Sequence, residues 1–378
     1  MSVALPIDRD AVVAASSPRG ILIVRLGAMG DVLHALPAVA ALRHAYPRAR
    51  IGWIIERRWQ SLLAAESPGR TPDHTQDCAP LSPARPLVDC IHPVDTRLWR
   101  SAPFTRKTLH ELKTAFSNMR SLHYEVAIDF QGALKSALAG RLSGASELNG
   151  FTRPREVPAS ILYTRRIIAS GTHVIDQNLS LAAALTGLPS SGIDFPLPHD
   201  TAAEHQCESE LARMGITQFA ILTPGAGWGA KQWPAARYGE LAASLGKLGL
   251  RSLINAAPGE EALAATVVEH SGGAAISLAC SLPHLIAFTR RAQLFIGGDT
   301  GPMHLAAALK VPVVALFGPT DPSRNGPYTA NCVVIRDPRS ITSYSHGNAA
   351  DPGLSAIESS QVIAAATNLL GGTGKKHE

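Results

Sequence analysis

The sequence predicts an α/β fold made of two Rossmann-like domains, each with a parallel sheet. Short apolar runs rich in β-branched residues alternate with helical patterns, and this alternation occurs twice, over about 20–185 and about 217–340. The 378 residues are 46% hydrophobic and 17% charged, which is enough apolar material for two cores. We expect the two sheets to face a central cleft, because open α/β sheets bind ligands at the carboxyl ends of their strands.

The predicted elements follow the hydrophobic periodicity and the turn residues between them. Strands are predicted at 21–24, 51–55, 125–128, 219–222, 252–255, 294–296 and 311–317. Helices are predicted at 32–45, 59–65, 108–121, 135–142, 236–248, 260–270, 281–290 and 303–309.

The domain boundaries follow from where the alternation stops. We predict a disordered extension (1–19), a first domain (20–187), a linker region rich in turn formers (188–216), a second domain (217–370) and a disordered tail (371–378). Residues 67–89 carry five prolines and predict an irregular loop. The last helical pattern, 355–370, is apolar on one face, and the sequence leaves open whether it packs on the first domain or the second.

Composition limits the function classes. No apolar run is long enough to span a bilayer and no secretory signal is visible, so we expect a cytoplasmic protein. Five scattered cysteines without CxxC spacing argue against a zinc site and against a disulfide framework. The net charge is +5, with basic residues concentrated in the first half, which fits an anionic partner or simply a solvated face. No nucleic-acid-binding motif is present.

The most informative segment is 295–322, FIGGDTGPMHLAAALKVPVVALFGPTDP. It predicts a strand, a glycine-rich turn, a helix and a second strand. The N–H groups at the start of such a helix favour an anion, most often phosphate. Asp299, Thr300, Gly301 and His304 are therefore candidate binding residues, although an ordinary βα turn is the alternative.

Three further strand-to-helix junctions carry polar residues. Asp31 follows the first strand and its two glycines, and is either a functional carboxylate or an ordinary helix cap. Lys231 lies in a loop with three glycines, where it suits a pyrophosphate contact or is a surface lysine. Glu260 and Glu261 suit a ribose contact or the first turn of any helix. Neither the GxGxxG fingerprint nor a Walker lysine is present.

These four segments, in this order and spacing, resemble the ADP-heptose lipopolysaccharide heptosyltransferase family. They read RLGAMGDVLHALPAVAALR, PGAGWGAKQWP, APGEE and GGDTGPMHLAAALKVPVVALFGPTDP. The segments IDFQGALKSA (128–137), REVPASILY (155–163) and HVIDQN (173–178) resemble its heptosyltransferase I branch most.

The resemblance implies a GT-B fold and an inverting glycosyltransferase of lipopolysaccharide core biosynthesis. The reaction would move heptose from ADP-L-glycero-D-manno-heptose to the Kdo residue of Kdo–lipid A. The first domain would bind the acceptor and the second the ADP-sugar. The implied partners are these two substrates and, peripherally, the inner face of the inner membrane, with no nucleic acid, cofactor or metal. The same fold and mechanism with another sugar or acceptor, as in a heptosyltransferase II, is the alternative.

Residue roles are carried over from the matching positions. Asp31 would be the general base that takes the acceptor hydroxyl proton. Donor binding is implied for Lys231, Glu260, Asp299, Thr300, Gly301 and His304, with Glu261 as a substitute for Glu260. Acceptor binding is implied or considered for Gly30, Arg57, Arg58, Arg97, Arg120, Gln131 and Lys135. The chain departs from some relatives at Ala226 and Gly227, where those carry hydroxyl residues.

Two hypotheses from other classes fit the same pattern. A non-catalytic nucleotide-sugar-binding module would retain the fold without turnover. A sugar epimerase built on two similar domains would act without any acceptor and form no glycoside.

Overall fold

The computed structural model describes residues 17–65, 76–102, 105–188, 192–343, 347 and 349–373. Most of the predicted N-terminal extension (1–19) and residues 374–378 of the predicted tail (371–378) lie outside these residues. The described start of that tail is helical, because the last helix continues to Thr373.

Within the described residues, the first sheet has seven strands, and helices connect most of them. The strands are β1 (Gly20–Val24), β2 (Arg50–Glu56), β3 (Asp77–Cys78), β4 (Cys90–Val94), β5 (Val126–Asp129), β6 (Glu147–Phe151) and β7 (Arg165–Ile167). The helices are α1 (Met29–Ala45), α2 (Thr96–Ser101), α3 (Arg106–Ser121), α4 (Leu134–Leu142) and α5 (Val174–Thr186). The order is β3-β4-β2-β1-β5-β6-β7, and only the β3–β4 pair is antiparallel.

The second sheet has six strands, all parallel. The strands are β8 (Phe219–Thr223), β9 (Arg251–Asn255), β10 (Ala275–Leu278), β11 (Leu294–Gly298), β12 (Val313–Phe317) and β13 (Cys332–Arg336). The helices are α6 (Thr201–Met214), α7 (Ala235–Lys247), α8 (Glu261–His270), α9 (Leu282–Arg291), α10 (Gly301–Ala308), α11 (Pro322–Asn325), α12 (Pro352–Ala356) and α13 (Ser359–Thr373). The order is β10-β9-β8-β11-β12-β13.

Numbered along the chain, the parallel strands of each sheet follow the order 3-2-1-4-5-6, which is the doubly wound order. The α/β prediction is therefore confirmed. Each predicted strand appears, because a strand buried on both faces is a continuous apolar run. The described residues form six further strands that were not predicted, β3, β4, β6, β7, β10 and β13. Strand β6 was missed because its Asn149-Gly150 pair is typical of a turn. In the sheet Asn149 is fully buried, and Gly150 leaves the space that the Tyr163 ring fills.

Apolar residues of the second sheet pack into one cluster on each face. Ile221 and Phe295 point toward α6, α9 and α10, whereas Leu222 and Ile296 point toward α7, α8 and α13. Helix α13 contributes Val362 and Ala366 to that second cluster. The last helix therefore packs on the second sheet, which answers the question that the sequence left open.

Three local predictions need correction. The predicted linker region (188–216) contains helix α6, whose Cys207 and Leu211 are buried in the core. The predicted helix at 59–65 is a 3-10 helix over Arg57–Leu62, and the chain then turns at Leu63. Within the predicted loop 67–89, residues 66–75 lie outside the described part, but 77–78 form β3.

The expectation of no disulfide is also wrong at one pair. Cys78 lies directly opposite Cys90 in the antiparallel β3–β4 pair, and their sulfur atoms are bonded. The linear sequence could not show this, because only strand pairing brings the two Cα atoms within disulfide range. Cys207, Cys280 and Cys332 are free thiols.

The contacts divide the chain into two compact units that differ slightly from the two halves of the sequence. The first unit comprises residues up to 27, 35–170 and 177–198. The second comprises 28–34, 171–176 and 199–378. By its contacts, the first turn of α1 therefore belongs to the second unit. None of the described helices is long and apolar enough to cross a membrane.

Candidate functional site

Three loops of the second sheet begin at the carboxyl ends of three neighbouring strands. Strands β9, β8 and β11 are adjacent and parallel, so their carboxyl ends lie side by side. The segments that follow them carry Glu260, Lys231 and Asp299 respectively. This is the edge at which doubly wound sheets bind ligands.

Lys231 and Asp299 form a buried ion pair at this edge. Nζ of Lys231 lies 2.7 Å from Oδ2 of Asp299, and the two side chains are 14% and 7% exposed. The ammonium also lies 4.5 Å from the centroid of the Trp228 ring, a cation–π contact. Lys231 is therefore not the surface lysine of the alternative interpretation, because its charge is held in a fixed place.

His304 links Asp299 to a second histidine. Its Nε2 donates to Oδ1 of Asp299 at 3.1 Å, and its Nδ1 lies 3.0 Å from Nε2 of His34. Since an ionised carboxylate only accepts, Nε2 of His304 carries the proton in that bond. The other ring nitrogen of His304, Nδ1, faces Nε2 of His34, and one of these two nitrogens carries the hydrogen that they share.

The electrostatic balance at Asp299 favours its carboxylate form. Burial raises the pKa of Asp299, but the hydrogen bond from His304 and the charges of His304 and Lys231 outweigh it. The net result holds the pKa well below its ordinary value. The site thus keeps a buried negative charge that orients one cation and one imidazole.

The structure distinguishes Glu260 from Glu261. Oε2 of Glu260 accepts from the Ala257 N–H at 2.9 Å, and its carboxylate lies against Gly225, where a Cβ atom would be 1.9 Å from Oε2. Glu261 is exposed and accepts from the Gly259 N–H at 2.9 Å, which lowers its pKa. Glu260 therefore faces the glycine loop of the site, whereas Glu261 supports its own turn.

The start of α10 packs against the first turn of α1. Thr300 is the residue before the helix and Gly301 begins it. A Cβ atom at Gly301 would lie 2.7 Å from Met29, and one at Gly30 would lie 2.7 Å from Cδ2 of His304. Both glycines are thus required for close approach, and Gly30 lies beside His304.

Asp31 lies in the first turn of α1, within the second unit. Its Oδ2 accepts from the Ala28 N–H at 3.0 Å, the back-contact of a capping box. Asp31 therefore makes one of the hydrogen bonds expected of a helix-capping residue. Its position one residue after Gly30 also puts this carboxylate next to the segment that touches His304.

The first unit gathers cations after β2 and β4. Arg58 lies 4.8 Å from the Trp59 ring centroid, measured at its Cζ. Burial and the positive charge of Arg97 lower the pKa of Arg58, while Glu56 and Asp95 oppose them. Arg57 precedes it in the same 3-10 turn. Arg57, Arg58 and Arg97 thus form a cationic group at the carboxyl edge of the first sheet.

Gln131 and Lys135 lie at the same edge after β5. Oε1 of Gln131 accepts from the Leu26 N–H at 2.9 Å, and Lys135 is exposed at the start of α4. The loop is held by buried Asp129, which accepts from the Gln131 and Gly132 N–H groups at 2.9 and 3.1 Å. Gln131 is therefore positioned by the backbone of two loops.

Arg120 does not join these residues. It ends α3, just before the chain enters the amino end of β5, and its Nε donates to the Leu142 carbonyl at 3.0 Å. Gly144 leaves room for its side chain. The amino edge is the wrong end of a parallel sheet for a ligand site, so the structure gives Arg120 a helix-capping contact and not an acceptor contact.

Two histidines of the second unit, His34 and His173, were not among the predicted site residues. His34 lies three residues after Asp31, on the same face of α1, and this spacing could have drawn attention to it. His173 accepts from the Ile175 N–H through Nδ1 at 3.1 Å and donates from Nε2 to the Gly326 carbonyl at 3.0 Å. Its ring centroid lies 5.9 Å from that of His34. Burial is the main cause that lowers the pKa of His173.

Comparison with known proteins decides the family. Residues 113–348 match the model of glycosyltransferase family 9 (heptosyltransferase), which is more than half of the chain. The chain belongs to glycosyltransferase family 9. This member is 31% identical to lipopolysaccharide heptosyltransferase 1 of Salmonella typhimurium strain LT2 over 327 residues, covering 84% of this chain and 94% of the relative.

Solved structures agree with this assignment. This family member resembles the E. coli heptosyltransferase WaaC with ADP at a TM-score of 0.70 and 27% identity, covering 93% of this chain and 99% of that one. It also shares its fold with E. coli ADP-heptose lps heptosyltransferase II, at a TM-score of 0.70, 20% identity and 94% and 99% coverage. The GT-B fold is confirmed, and a glycosyltransferase is favoured over an epimerase or a binding module.

Proposed function

We propose that this enzyme transfers heptose from ADP-L-glycero-D-manno-heptose to the Kdo residue of Kdo–lipid A. The observation that carries the proposal is the Lys231–Asp299–His304 array beside the glycine loops. A relative of the heptosyltransferase 1 type and a solved relative containing ADP support the donor and the reaction class. The choice of this particular sugar and this particular acceptor is part of the proposal.

In the proposed donor site, Lys231 and the start of α10 face the pyrophosphate. The ammonium is partly desolvated and held by Asp299, so it needs no reorganisation as charge develops on the leaving ADP. Glu260, held against Gly225, is positioned for the ribose hydroxyls. Ala226 and Gly227 bring no hydroxyl groups, so backbone N–H groups supply the remaining contacts of that loop.

In the proposed chemical step, one displacement inverts the anomeric carbon. A Kdo hydroxyl oxygen attacks this carbon as its bond to the β-phosphate oxygen of ADP breaks. The hydroxyl proton passes to the Asp31 carboxylate, and ADP leaves with the electron pair. Asp31 is held by the Ala28 N–H, which fixes one oxygen of the base.

In the proposed acceptor site, Arg57, Arg58 and Arg97 contact the carboxylates and phosphates of Kdo–lipid A. Guanidinium groups suit these anions because they donate two hydrogen bonds in one plane. The acceptor is a lipid, so the enzyme would work peripherally at the inner face of the inner membrane, in the cytoplasm.

The test measures ADP release from ADP-heptose with three acceptor conditions: none, Kdo–lipid A, and Kdo–lipid A that already carries one heptose. The proposal predicts release with Kdo–lipid A only. Turnover restricted to the heptosylated acceptor would instead assign the activity of a second heptose transfer. Release without any acceptor product would contradict glycosyl transfer.

A variant pair tests the catalytic assignment. Asp31→Ala should abolish transfer while ADP still binds with nearly unchanged affinity, because the base is lost whereas Lys231 and Glu260 keep their contacts. Glu261→Gln, an exposed carboxylate outside the site, is the matched control and should leave turnover unchanged. Near-normal transfer by Asp31→Ala would overturn the general-base role.

A further inference from the structure

Large exposed aliphatic side chains are concentrated in one stretch of the first unit. Val157, Ile161 and Ile168 are 76%, 77% and 80% exposed, and Leu134 and Leu138 are about half exposed. Leu134 and Leu138 lie one helical turn apart on α4, and Val157 and Ile161 lie on the 3-10 turn Val157–Leu162. Exposed apolar groups that cluster in this way mark interaction surfaces.

These elements form one continuous surface, here called the 134–168 surface. Helix α4 packs along the 3-10 turn, and Oε2 of Glu156 accepts from the Leu134 N–H at 2.8 Å. Strand β7 joins the same surface, because Nε of Arg166 donates to the Ser160 carbonyl at 3.0 Å. The elements that carry the aliphatic groups therefore pack side by side.

The same surface is strongly basic. Between residues 134 and 168 there are six basic residues and two acidic ones, and all eight are exposed. One of the acids, Glu156, is already occupied at the start of α4. The basic residues of this surface are Lys135, Arg141, Arg153, Arg155 and Arg166, whereas Arg165 points to the other face of the sheet and donates to the Ala184 carbonyl.

We propose that the 134–168 surface docks this enzyme on an anionic phospholipid bilayer. Single aliphatic side chains separated by arginines suit the boundary between headgroups and acyl chains. The aliphatic groups can insert among the acyl chains there, while the arginines contact the anionic headgroups. A second copy of the chain fits poorly, since a symmetric contact would oppose the five basic residues of this surface with the same five of the other copy. Protection of the β7 edge accounts for Arg165 and Arg166 but not for the aliphatic groups.

The location adds a consequence for the reaction and rests in that respect on the proposed function. The segment that carries Arg155 packs on Gly132, where a Cβ atom would lie 2.9 Å from the backbone nitrogen of Arg155. Gln131 and Lys135 flank this contact. Docking would therefore bring the lipid surface beside the proposed acceptor residues of the same sheet edge.

Vesicle co-sedimentation of the full chain, without substrates, tests the docking. Wild-type protein should bind vesicles of phosphatidylcholine with phosphatidylglycerol, and bind pure phosphatidylcholine much more weakly. The double variant Val157→Ser/Ile161→Ser should bind anionic vesicles roughly tenfold more weakly, because two inserted side chains are lost. Ile341→Ser, at 78% exposure in the second unit, is the matched control and should bind as wild type.

Charge variants complete the test. Arg141→Gln and Arg166→Gln should each weaken binding about fivefold at low salt, whereas exposed Arg213→Gln should not. Wild-type-like binding by both the aliphatic and the arginine variants would overturn the proposal, as would absence of binding to anionic vesicles. In the latter case, capture by an acidic protein surface would be the competing assignment.

Activity with two forms of the acceptor separates this proposal from the proposed function. The aliphatic double variant should heptosylate a deacylated, water-soluble Kdo acceptor at the wild-type rate, but a vesicle-embedded Kdo–lipid A several-fold more slowly. If vesicles bind the protein through this surface and neither acceptor is heptosylated, the proposed function fails while the docking stands.

Discussion

Asp129 and Asp299 are both buried at the carboxyl end of the fourth parallel strand of their own sheet, yet their surroundings are opposite. Asp129 ends β5 and accepts only from neutral donors, the Gln131 and Gly132 N–H groups and the Ser136 and Tyr163 hydroxyls. Asp299 follows β11 and faces Lys231 and His304. A buried aspartate at the same position of the two sheets therefore has neutral partners in one sheet and a lysine and a histidine in the other.

The pKa values express this difference. Burial dominates at Asp129 and raises its pKa, although four hydrogen bonds act in the other direction. At Asp299 the cationic partners outweigh burial and lower the pKa. A buried carboxylate with neutral donors organises a loop, whereas one with a lysine and a histidine organises charge for a ligand. The predictions below test this contrast.

The largest expected effect is on catalysis at Asp299. Asp299→Asn should lower kcat/KM for ADP-heptose by about 10³-fold, because the amide no longer fixes the Lys231 ammonium and the His304 tautomer. Steady-state ADP release, alongside a thermal unfolding scan, provides the measurement. A loss below threefold would show that the array is structural, like that of Asp129.

The next effect is on stability at Asp129. Asp129→Asn should lower the free energy of unfolding by about 3 kcal/mol, since the new amide N–H₂ opposes existing donors. Tyr163→Phe removes one donor only and should cost about 1 kcal/mol. Denaturant unfolding measures both. If Asp129→Asn unfolds like wild type, the buried network does not stabilise the loop.

A smaller effect on catalysis is expected at His34, which contacts His304 and not Asp299 itself. Its Nε2 supports Nδ1 of His304, so His34→Asn, which cannot reach that atom, should reduce kcat about tenfold. His34→Gln places an amide nitrogen near the lost position and should recover much of the activity. Equal kcat values for the two variants would rule out a positioning role for this hydrogen bond.

The smallest effect is on the pH dependence of stability. The lowered pKa of Asp299 contributes stability that is present above the ordinary carboxyl pKa and is lost as pH falls through the folded value. The raised pKa of Asp129 contributes stability that is full below the ordinary value and declines as pH rises through the folded one.

Thermal unfolding of wild type, Asp299→Asn and Asp129→Asn from strongly acidic to neutral pH checks these signs, because the Asp299 contribution changes below the ordinary carboxyl pKa and the Asp129 contribution changes above it. The difference from wild type should grow with pH for Asp299→Asn and shrink with pH for Asp129→Asn. Slopes of the same sign would contradict the assigned surroundings.

The residues around Asp299 in the second sheet were largely predictable from the sequence, whereas those around Asp129 in the first sheet were not. The turns holding Lys231, Glu260 and Asp299 were identified because glycines and polar residues interrupt apolar strands there. Asp129 follows a similar strand, but its partner Tyr163 lies 34 residues away. Arg120 ends a helix at the amino edge of the first sheet, which its sequence could not show, because a basic residue near a motif says nothing about which edge of the sheet it reaches.

The sequence by itself determined the doubly wound fold and the segments that carry polar groups, because hydrophobic periodicity and glycine placement are local properties. Only the tertiary structure decided the pairs: Cys78 with Cys90, His34 with His304, and Glu260 rather than Glu261 against Gly225. These depend on strand order and on distances between segments far apart in the chain. Burial and electrostatic balance, which set the different roles of Asp129 and Asp299, exist only once those segments have met.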